Sequence, residues 1–316
     1  MDLSIVIPLY NEVESLPELC EWIHSALSPH DLGYEVILVD DGSNDGSWEE
    51  IERLKALYPV IRGLKFRRNY GKSAALHTGF RVAEGDVVFT MDADLQDNPE
   101  EIPEMRRMIV EEGYDVVSGW KKKRYDPFFS KNLPSKLFNW AARKVSGIRL
   151  HDFNCGLKGY RSNVTRSVEV YGDMHRYIPV LAKGSGFIRI GEKIVQHQER
   201  KYGVTKYGMD RFIKGFLDLL TVMFLTRFAK KPMHLFGTLG SLVFLVGLAI
   251  ALYMGIDKLI ALIKHIPQPL IADSAIFYIG LTSMIIGTLL FIGGFLGELI
   301  SRNATERNIY EIEKKI

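Results

Sequence analysis

The chain has 316 residues, 47% of them hydrophobic and 25% charged, with a formal net charge of +2. That composition excludes intrinsic disorder and collagen-like structure, and the near-neutral balance excludes a strongly basic nucleic-acid binder. Two cysteines, Cys20 and Cys155, cannot build a disulfide framework and no Cys/His cluster has zinc spacing, so both thiols read as small buried residues of a reducing compartment.

Met1-Asp2 carries no basic segment and the apolar run behind it breaks at Pro8, so the N-terminus does not read as a secretory signal. Residues 3–10 (LSIVIPLY) form the first strand candidate, followed after Asn11-Glu12 by a helical pattern through Leu16, Leu19, Ile23 and Leu27. A second strand at 35–43 ends in Asp40-Asp41-Gly42-Ser43, and Trp48, Ile51, Leu54 and Leu57 stripe a helix over 46–58. A third strand at 61–66 precedes a helix at 72–84. The fourth, at 86–94, ends in Asp92-Ala93-Asp94 and leads to a helix at 99–113 opened by Pro99 and Glu100; a fifth lies at 115–120. Continuous Val/Ile/Leu runs alternating with helices predict an α/β fold with a mainly parallel, Rossmann-like sheet and helices on both faces. Ligands of such sheets bind beyond the carboxyl ends of the strands, where Tyr10-Asn11-Glu12 and the two acidic strings fall. No Gly-x-Gly-x-x-Gly follows the first strand and there is no P-loop, which disfavours a dinucleotide dehydrogenase or an ATPase.

The C-terminal third differs. Residues 233–256 and 274–297 each run 24 positions without Asp, Glu, Lys or Arg. A helix of that length spans ~36 Å, sufficient to cross a ~30 Å hydrocarbon core, and buried helices of soluble proteins seldom run so long uncharged. Arg227, Lys230 and Lys231 precede the first run and Arg302 and Arg307 follow the second, against only Lys258 and Lys264 between them. That bias predicts both termini on the cytoplasmic side. Asp210, Lys214 and Asp218, four apart on the otherwise apolar stretch 210–231, read as a helix lying along the membrane surface or packed on the soluble domain.

The carboxylates at strand ends carry the chemistry. Asp92 and Asp94 stand two apart where an extended segment ends, which would send both side chains to one side. Carboxylates that close repel unless a cation or a donor-rich ligand joins them, and Mg2+ or Mn2+ is bound through one or two carboxylates plus phosphate oxygens. Asp40-Asp41 ends a second strand of the same sheet and can accept from a base N–H or a ribose hydroxyl. Gly42, Ser43, Asp45 and Gly46 supply a tight turn that lets a ligand come close. Lys121–Arg124 is a basic run that reads either as phosphate-binding or as a face toward anionic lipid. Arg161 reads as a structural ion pair and His197 as a structural residue on a strand.

Together, IVIPLYNE (5–12), VDDGSNDGS (39–47), RNYGKSAALHTGF (68–80) and MDADLQDNPE (91–100) resemble the family 2 glycosyltransferases of the GT-A fold. More narrowly, the chain resembles the polyprenyl-phosphate hexosyltransferases related to dolichol-phosphate mannose synthase, over residues 3–209; the two apolar spans resemble the bacterial branch that glycosylates undecaprenyl phosphate. The resemblance implies that Pro8, Tyr10, Glu12 and Asp40 line the base and ribose, with Asp41 and Lys72 close to the nucleotide. It implies that Asp92, Ala93, Asp94 and Gln96 meet the diphosphate, with Mg2+ or Mn2+ on Asp92, Asp94 and Gln96. Asp152 would sit near the reacting carbon, which makes Asp92, Asp94 and Asp152 the catalytic candidates. Arg200 and Lys206 would lie on a loop closing over the donor phosphates; Arg124, Lys131 and Ser135 would receive the lipid phosphate, Lys131 standing where relatives often carry Arg.

The resemblance also implies a GT-A catalytic domain at 1–209, a juxtamembrane amphipathic helix at 210–231, a two-helix transmembrane hairpin at 232–300 and a cytoplasmic tail at 301–316, set in the inner membrane. The expected reaction is inverting transfer of a hexose to polyprenyl phosphate, with UDP-glucose ahead of GDP-mannose and UDP-N-acetylhexosamines as donor. A homo-oligomer, a tetramer, is expected, with Gly287, Gly293, Gly294 and Gly297 permitting close helix packing. Two rival readings stand beside it: a GT-A membrane glycosyltransferase with a saccharide acceptor, and a non-enzymatic membrane scaffold that keeps a sugar-nucleotide fold. A processive polysaccharide synthase usually carries Gln-x-x-Arg-Trp, whereas Gln198-Glu199-Arg200-Lys201 lacks the Trp. A non-enzymatic scaffold predicts erosion of the acidic sites, yet Asp40, Asp41, Asp92, Asp94 and Gln96 are all present.

Overall fold

The computed structural model describes residues 1–122, 139, 142–143, 146–198, 201, 232–303 and 312–315. The chain divides into two units, Met1–Met223 with Asn308–Ile316, and Phe224–Arg307.

The first unit begins β1 (Leu3–Leu9), α1 (Leu16–Leu27), β2 (Tyr34–Asp40), α2 (Ser47–Leu57), β3 (Ile61–Phe66), α3 (Lys72–Val82), β4 (Val87–Thr90), α4 (Ile102–Val110) and β5 (Val116–Trp120). It continues with β6 (Lys158–Arg161), α5 (Ser162–Ser167), α6 (Ile178–Gly184) and β7 (Ile190–Ile194), and the far C-terminal β8 (Ile312–Lys315) joins the same sheet. The strand order is β7-β5-β6-β4-β1-β2-β3-β8. Strands β4, β1, β2 and β3 are parallel neighbours, as expected. Two strands that the sequence pattern does not announce enter antiparallel: β6 between β4 and β5, and β8 on the β3 edge.

The period-two alternation of the strands builds two cores. Leu3, Ile5 and Ile7 of β1 with Val36 and Leu38 of β2 face Leu16, Leu19, Trp48, Ile51, Ile102 and Met105. Val6, Ile37 and Val39 face the other way, onto Ala75, Leu76 and Phe80 of α3 and onto Tyr160 and Val164. Burying both faces is why these strands are apolar at nearly every position. Both cysteines are free and buried, as expected.

Two expectations need correction. β4 stops at Thr90 rather than running to 94. Met91 N–H still reaches the Val6 carbonyl at 3.2 Å, but the next amide, of Asp92, turns to the Asp97 side chain, so the acids sit on a loop where strand alternation no longer applies. Arg161 is structural without being an ion pair: its Nε and Nη2 donate to the carbonyls of Tyr114 (3.0 Å) and Ile109 (2.8 Å), near the C-terminal end of α4.

The second unit contains α7 (Pro232–Ile263) and α8 (Ala275–Asn303). Met233–Ile263 and Ala275–Gly297 are long and apolar enough to cross a membrane. The helices meet along glycines: a Cβ on Gly240 would stand 2.6 Å from the Gly287 carbonyl oxygen, and one on Gly247 would stand 2.5 Å from that of Gly280. A seven-residue spacing keeps one stripe of each helix facing the other. Gly287 and Gly294, expected to serve packing between copies, are therefore occupied within the hairpin, whereas Gly293 faces open space. Leu242, Leu245, Leu252, Tyr253, Leu289 and Phe295 are exposed on the outer faces, an apolar surface suited to lipid. The surface helix expected over 210–231 lies outside the described residues.

Candidate active site

The ends of β1 and β2 are laced together. Beyond β1, the amides of Asn11, Glu12 and Val13 donate to Ser43 Oγ (2.9 Å), Ser47 Oγ (3.0 Å) and Asp45 Oδ2 (3.2 Å) in the turn beyond β2 and at the first residue of α2. Asn11 holds φ at 54°, a left-handed conformation that Asn tolerates better than most residues. Gly42 has φ +76°, and a Cβ there would lie 2.6 Å from the Arg68 carbonyl carbon, so only glycine lets the turn approach the β3–α3 connection.

The two acids of that turn do different work. Asp41 accepts from the amides of Tyr70 (2.7 Å) and Gly71 (2.9 Å), clamping the loop that leads into α3; burial pushes its carboxyl up to about 6 against the lowering effect of those two bonds. Asp40 is fully buried, with Oδ1 accepting from Ser43 N–H at 2.8 Å. Its Oδ2 is buried and has no hydrogen-bond partner among the described residues. Desolvation raises its pKa, with Lys65, its register neighbour on β3, acting in the opposite direction.

The second acidic loop is held by lysines. Lys72, the first residue of α3, donates to Asp92 Oδ1. Burial alone would raise the Asp92 carboxyl, but the Lys72 ammonium outweighs it and holds the group well below the usual carboxylate range. Asp97, whose side chain is fully buried, accepts the Asp92 amide at 3.2 Å through Oδ2 and pairs with Lys121 Nζ at 2.8 Å through Oδ1. Although burial opposes its charge, Lys121 is held firmly protonated by Asp97. A Cβ on Gly156 would lie 2.6 Å from Asp97 Oδ2 and 2.7 Å from the Asp92 carboxylate, so glycine there lets both acids approach the β6 side. Asp94 Oδ1 receives the Gln96 amide at 3.3 Å, across a buried Leu95 with φ at 60°. A leucine in that conformation is strained, and such strain gathers at functional loops.

The structure thus brings Pro8, Tyr10, Glu12, Asp40, Asp41, Lys72, Asp92, Ala93, Asp94 and Gln96 to the carboxyl-end rim of adjacent strands β4, β1, β2 and β3, on the strand ends, their loops and the start of α3. Asp152 is buried and held from another direction. Its amide donates to Glu192 Oε1 at 3.1 Å, its Oδ1 accepts from Asn154 N–H at 2.9 Å, and neighbouring His151 stacks on Trp120 while pairing with Glu192. His197 forms an isolated antiparallel bridge with Asp97 beyond β7, and its Nδ1 lies 3.2 Å from the Gln96 carbonyl. Arg124, Lys131, Ser135, Arg200 and Lys206 lie outside the described residues. Sequence reasoning missed Asp97 and the buried Lys158; the third acid of Asp92-Ala93-Asp94-Leu95-Gln96-Asp97 was the available signal for the first.

No cluster of three or more His, Cys, Asp or Glu side chains converges as a metal cage among the described residues. With Asp92 engaged by Lys72, the carboxylate for such an ion would come from Asp94, whose Oδ1 also accepts the Gln96 amide. This sparse, hard-oxygen donor set fits Mg2+ or Mn2+ arriving with a diphosphate, since those ions take one or two carboxylates and complete their shell with phosphate oxygens and water.

Residues 4–168 match the profile of Glycosyl transferase family 2. The dodecaprenyl-phosphate galacturonate synthase of Rhizobium johnstonii is 35% identical over 96% of this chain and 88% of its own. The undecaprenyl-phosphate 4-deoxy-4-formamido-L-arabinose transferase of Proteus mirabilis is 35% identical over 99% of this chain and 94% of its own. Among solved structures, a Pyrobaculum calidifontis mannosyltransferase in complex with GDP-Man and Mn2+ superposes with a TM-score of 0.52 at 16% identity, over 96% of this chain and 76% of that one. Mannosyl-3-phosphoglycerate synthase from Rubrobacter xylanophilus gives 0.53 at 17% identity, over 71% and 74%. These structural likenesses bear on the fold alone, which is GT-A.

Proposed function

The chain belongs to glycosyl transferase family 2, and on that premise we propose that it moves a hexose from a nucleoside diphosphate sugar to the phosphate of a membrane polyprenyl phosphate. One observation chiefly supports the reading: relatives named for dodecaprenyl or undecaprenyl phosphate align with 96–99% of the chain, apolar helices included.

The chemistry accounts for the residues at the rim. A phosphate monoester has a second pKa of ~6, so near neutrality its oxygen attacks C1 of the sugar already ionised. The new bond joins that oxygen to C1, the bond from C1 to the diphosphate breaks, and the electron pair leaves on the nucleoside diphosphate. No proton has to be removed, so positioning and charge balance carry the rate rather than a dedicated base. Attack in line with the departing group inverts C1, giving a β-linked lipid product from an α-linked donor.

In this reading Asp40 accepts from the base or ribose through its buried Oδ2, beside Pro8, Tyr10 and Glu12. Asp41 holds the Tyr70–Gly71 loop, and Lys72 sits between Asp92 and the phosphates. Asp94 and Gln96 hold the divalent ion, which when bound offsets charge on the diphosphate. Asp152 orients the sugar or the acceptor, with Arg200 and Lys206 at the donor phosphates and Arg124, Lys131 and Ser135 at the lipid phosphate. The apolar helices confine the enzyme to the leaflet that holds its acceptor, raising effective concentration, and the flanking charges favour the cytoplasmic side. UDP-glucose is the first donor to try and GDP-mannose the second.

The test is transfer of radiolabelled sugar to undecaprenyl phosphate by purified full-length protein. We expect label in the lipid fraction with a nucleoside diphosphate hexose; absence of a lipid product across a panel of UDP- and GDP-sugars would reject the proposal.

A further inference from the structure

Three stretches of chain meet at Asp97. Its side chain is fully enclosed, and that of Lys121, its ion-pair partner at 2.8 Å, is only 11% exposed. Through Oδ2 it accepts the Asp92 amide at 3.2 Å, at the start of the loop that carries Asp94 and Gln96. Through Oδ1 it pairs with Lys121, the residue directly after β5. Through its backbone it bridges His197, and beside that bridge the Gln198 amide donates to the Gln96 carbonyl at 3.2 Å.

The surroundings leave this junction no slack. A Cβ on Gly156 would lie 2.6 Å from Asp97 Oδ2, and the Gly156 carbonyl is itself held by Thr90 Oγ1 at 2.8 Å, at the end of β4. The Val195 amide, just beyond β7, donates to the Trp120 carbonyl at 3.1 Å, which fixes the chain immediately before Lys121. An enclosed ion pair adds little net stability over apolar residues of the same shape, because both charges give up water. What it supplies is geometry: each charge holds the other, and the segment that carries it, in one place. The segments held here run on in sequence toward both substrates of the proposed reaction. Lys121 stands three residues before Arg124, and Gln198 two residues before Arg200.

We propose that Asp97 and Lys121 are positioning residues: their pair sets the diphosphate loop Asp92–Gln96 against the segment that leads to the lipid phosphate, so that donor and acceptor sites share one internal support. The proposal rests on the donor and acceptor sites assigned above, and it gives neither residue a contact with either substrate. Asp97 acts through the Asp92 amide, and Lys121 acts through Asp97. Removing a partner that orients ligand-bearing residues in this way costs about 10- to 100-fold in affinity or rate.

The test is nucleotide binding by full-length protein, by calorimetry with UDP and with GDP in the presence of Mn2+, alongside the KM for undecaprenyl phosphate and the thermal transition. KM does not depend on how much of the enzyme is folded, so a purely structural pair moves the transition and leaves KM alone. Asp97→Asn and Lys121→Met should each weaken binding of the preferred nucleotide about tenfold and raise the acceptor KM about as much. Asp97→Asn strands a buried ammonium and lowers the transition; the double variant removes both charges and should recover it. Nucleotide binding by the double variant should stay weak, and close to that of either single variant, because both changes break one contact. Binding and KM restored to wild-type values in the double variant overturn the proposal, the pair then being structural. Tighter nucleotide binding by Asp97→Asn also overturns it, since the freed Lys121 would then be a phosphate ligand in its own right. So does an acceptor KM that holds at its wild-type value while nucleotide binding weakens. If the wild type binds nucleotide but transfers no sugar to lipid, the assigned acceptor is rejected and the nucleotide-binding result alone decides this inference.

Discussion

Asp41 and Asp92 stand on the same rim of the same sheet and are stabilised by opposite means. Asp41 rests on two backbone amides, which are dipoles without net charge, and burial lifts its carboxyl to about 6. Asp92 rests on the Lys72 ammonium and is held far lower. An acid held by amides is a fixed part of the scaffold, because releasing it would orphan two buried donors. An acid held by a lysine can exchange partners when phosphate and a divalent ion arrive, since the lysine then finds new oxygens. The first half of the rim is therefore built for shape and the second for charge.

That division can be broken experimentally. The largest effect belongs to the charged half: Asp94→Ala should lower kcat about 100-fold or more while the thermal transition stays in place. Activity near wild type would remove Asp94 from the diphosphate site. Next, Lys72→Met leaves Asp92 without its partner and should lower kcat/KM for the donor about tenfold. Unfolding should change little, because the two side chains are 27% and 32% exposed and solvent screens the pair. A large loss of stability with normal kinetics would make the pair structural instead.

The smallest effect belongs to the amide-held half and depends on pH. The folded state takes up the Asp41 proton near 6, whereas an unperturbed carboxyl does so at 3.8. Between those values the native state binds more protons than the unfolded chain, so this group's contribution to stability declines as pH rises. Protonation also weakens acceptance from Tyr70 and Gly71. Lowering pH from 7 to 5 should therefore raise the donor KM a few-fold, while this group favours the folded state. Asp41→Asn should flatten that part of the KM profile; an unchanged profile would mean that Asp41 does not govern the loop.

The features legible in sequence were those written in local pattern. Strands β1 to β5 are continuous apolar runs, and the acids fall where those runs end. The spans of α7 and α8 follow from the lack of charge. Strand β6 was hidden because Lys158–Arg161 is four residues with a charge at each end, and β8 because Ile312–Lys315 reads as a polar tail. Their place comes from tertiary pairing rather than from period. The Asp97–Lys121 pair and the buried Lys158 were hidden for the same reason: a charged residue's burial and partner depend on chain segments distant in sequence. The glycines of α8 were noticed, but only the paired helix shows that Gly287 faces Gly240 in the same chain.

The most direct measurement of the acidic rim's role is the position of Mn2+ in crystals of full-length protein grown with a nucleotide sugar, located by anomalous scattering. We expect the peak at the Asp94 carboxylate, with the nucleotide's base or ribose donating to Asp40 Oδ2. A manganese peak elsewhere, with the Asp40 and Asp92–Asp94 rim empty, would contradict it.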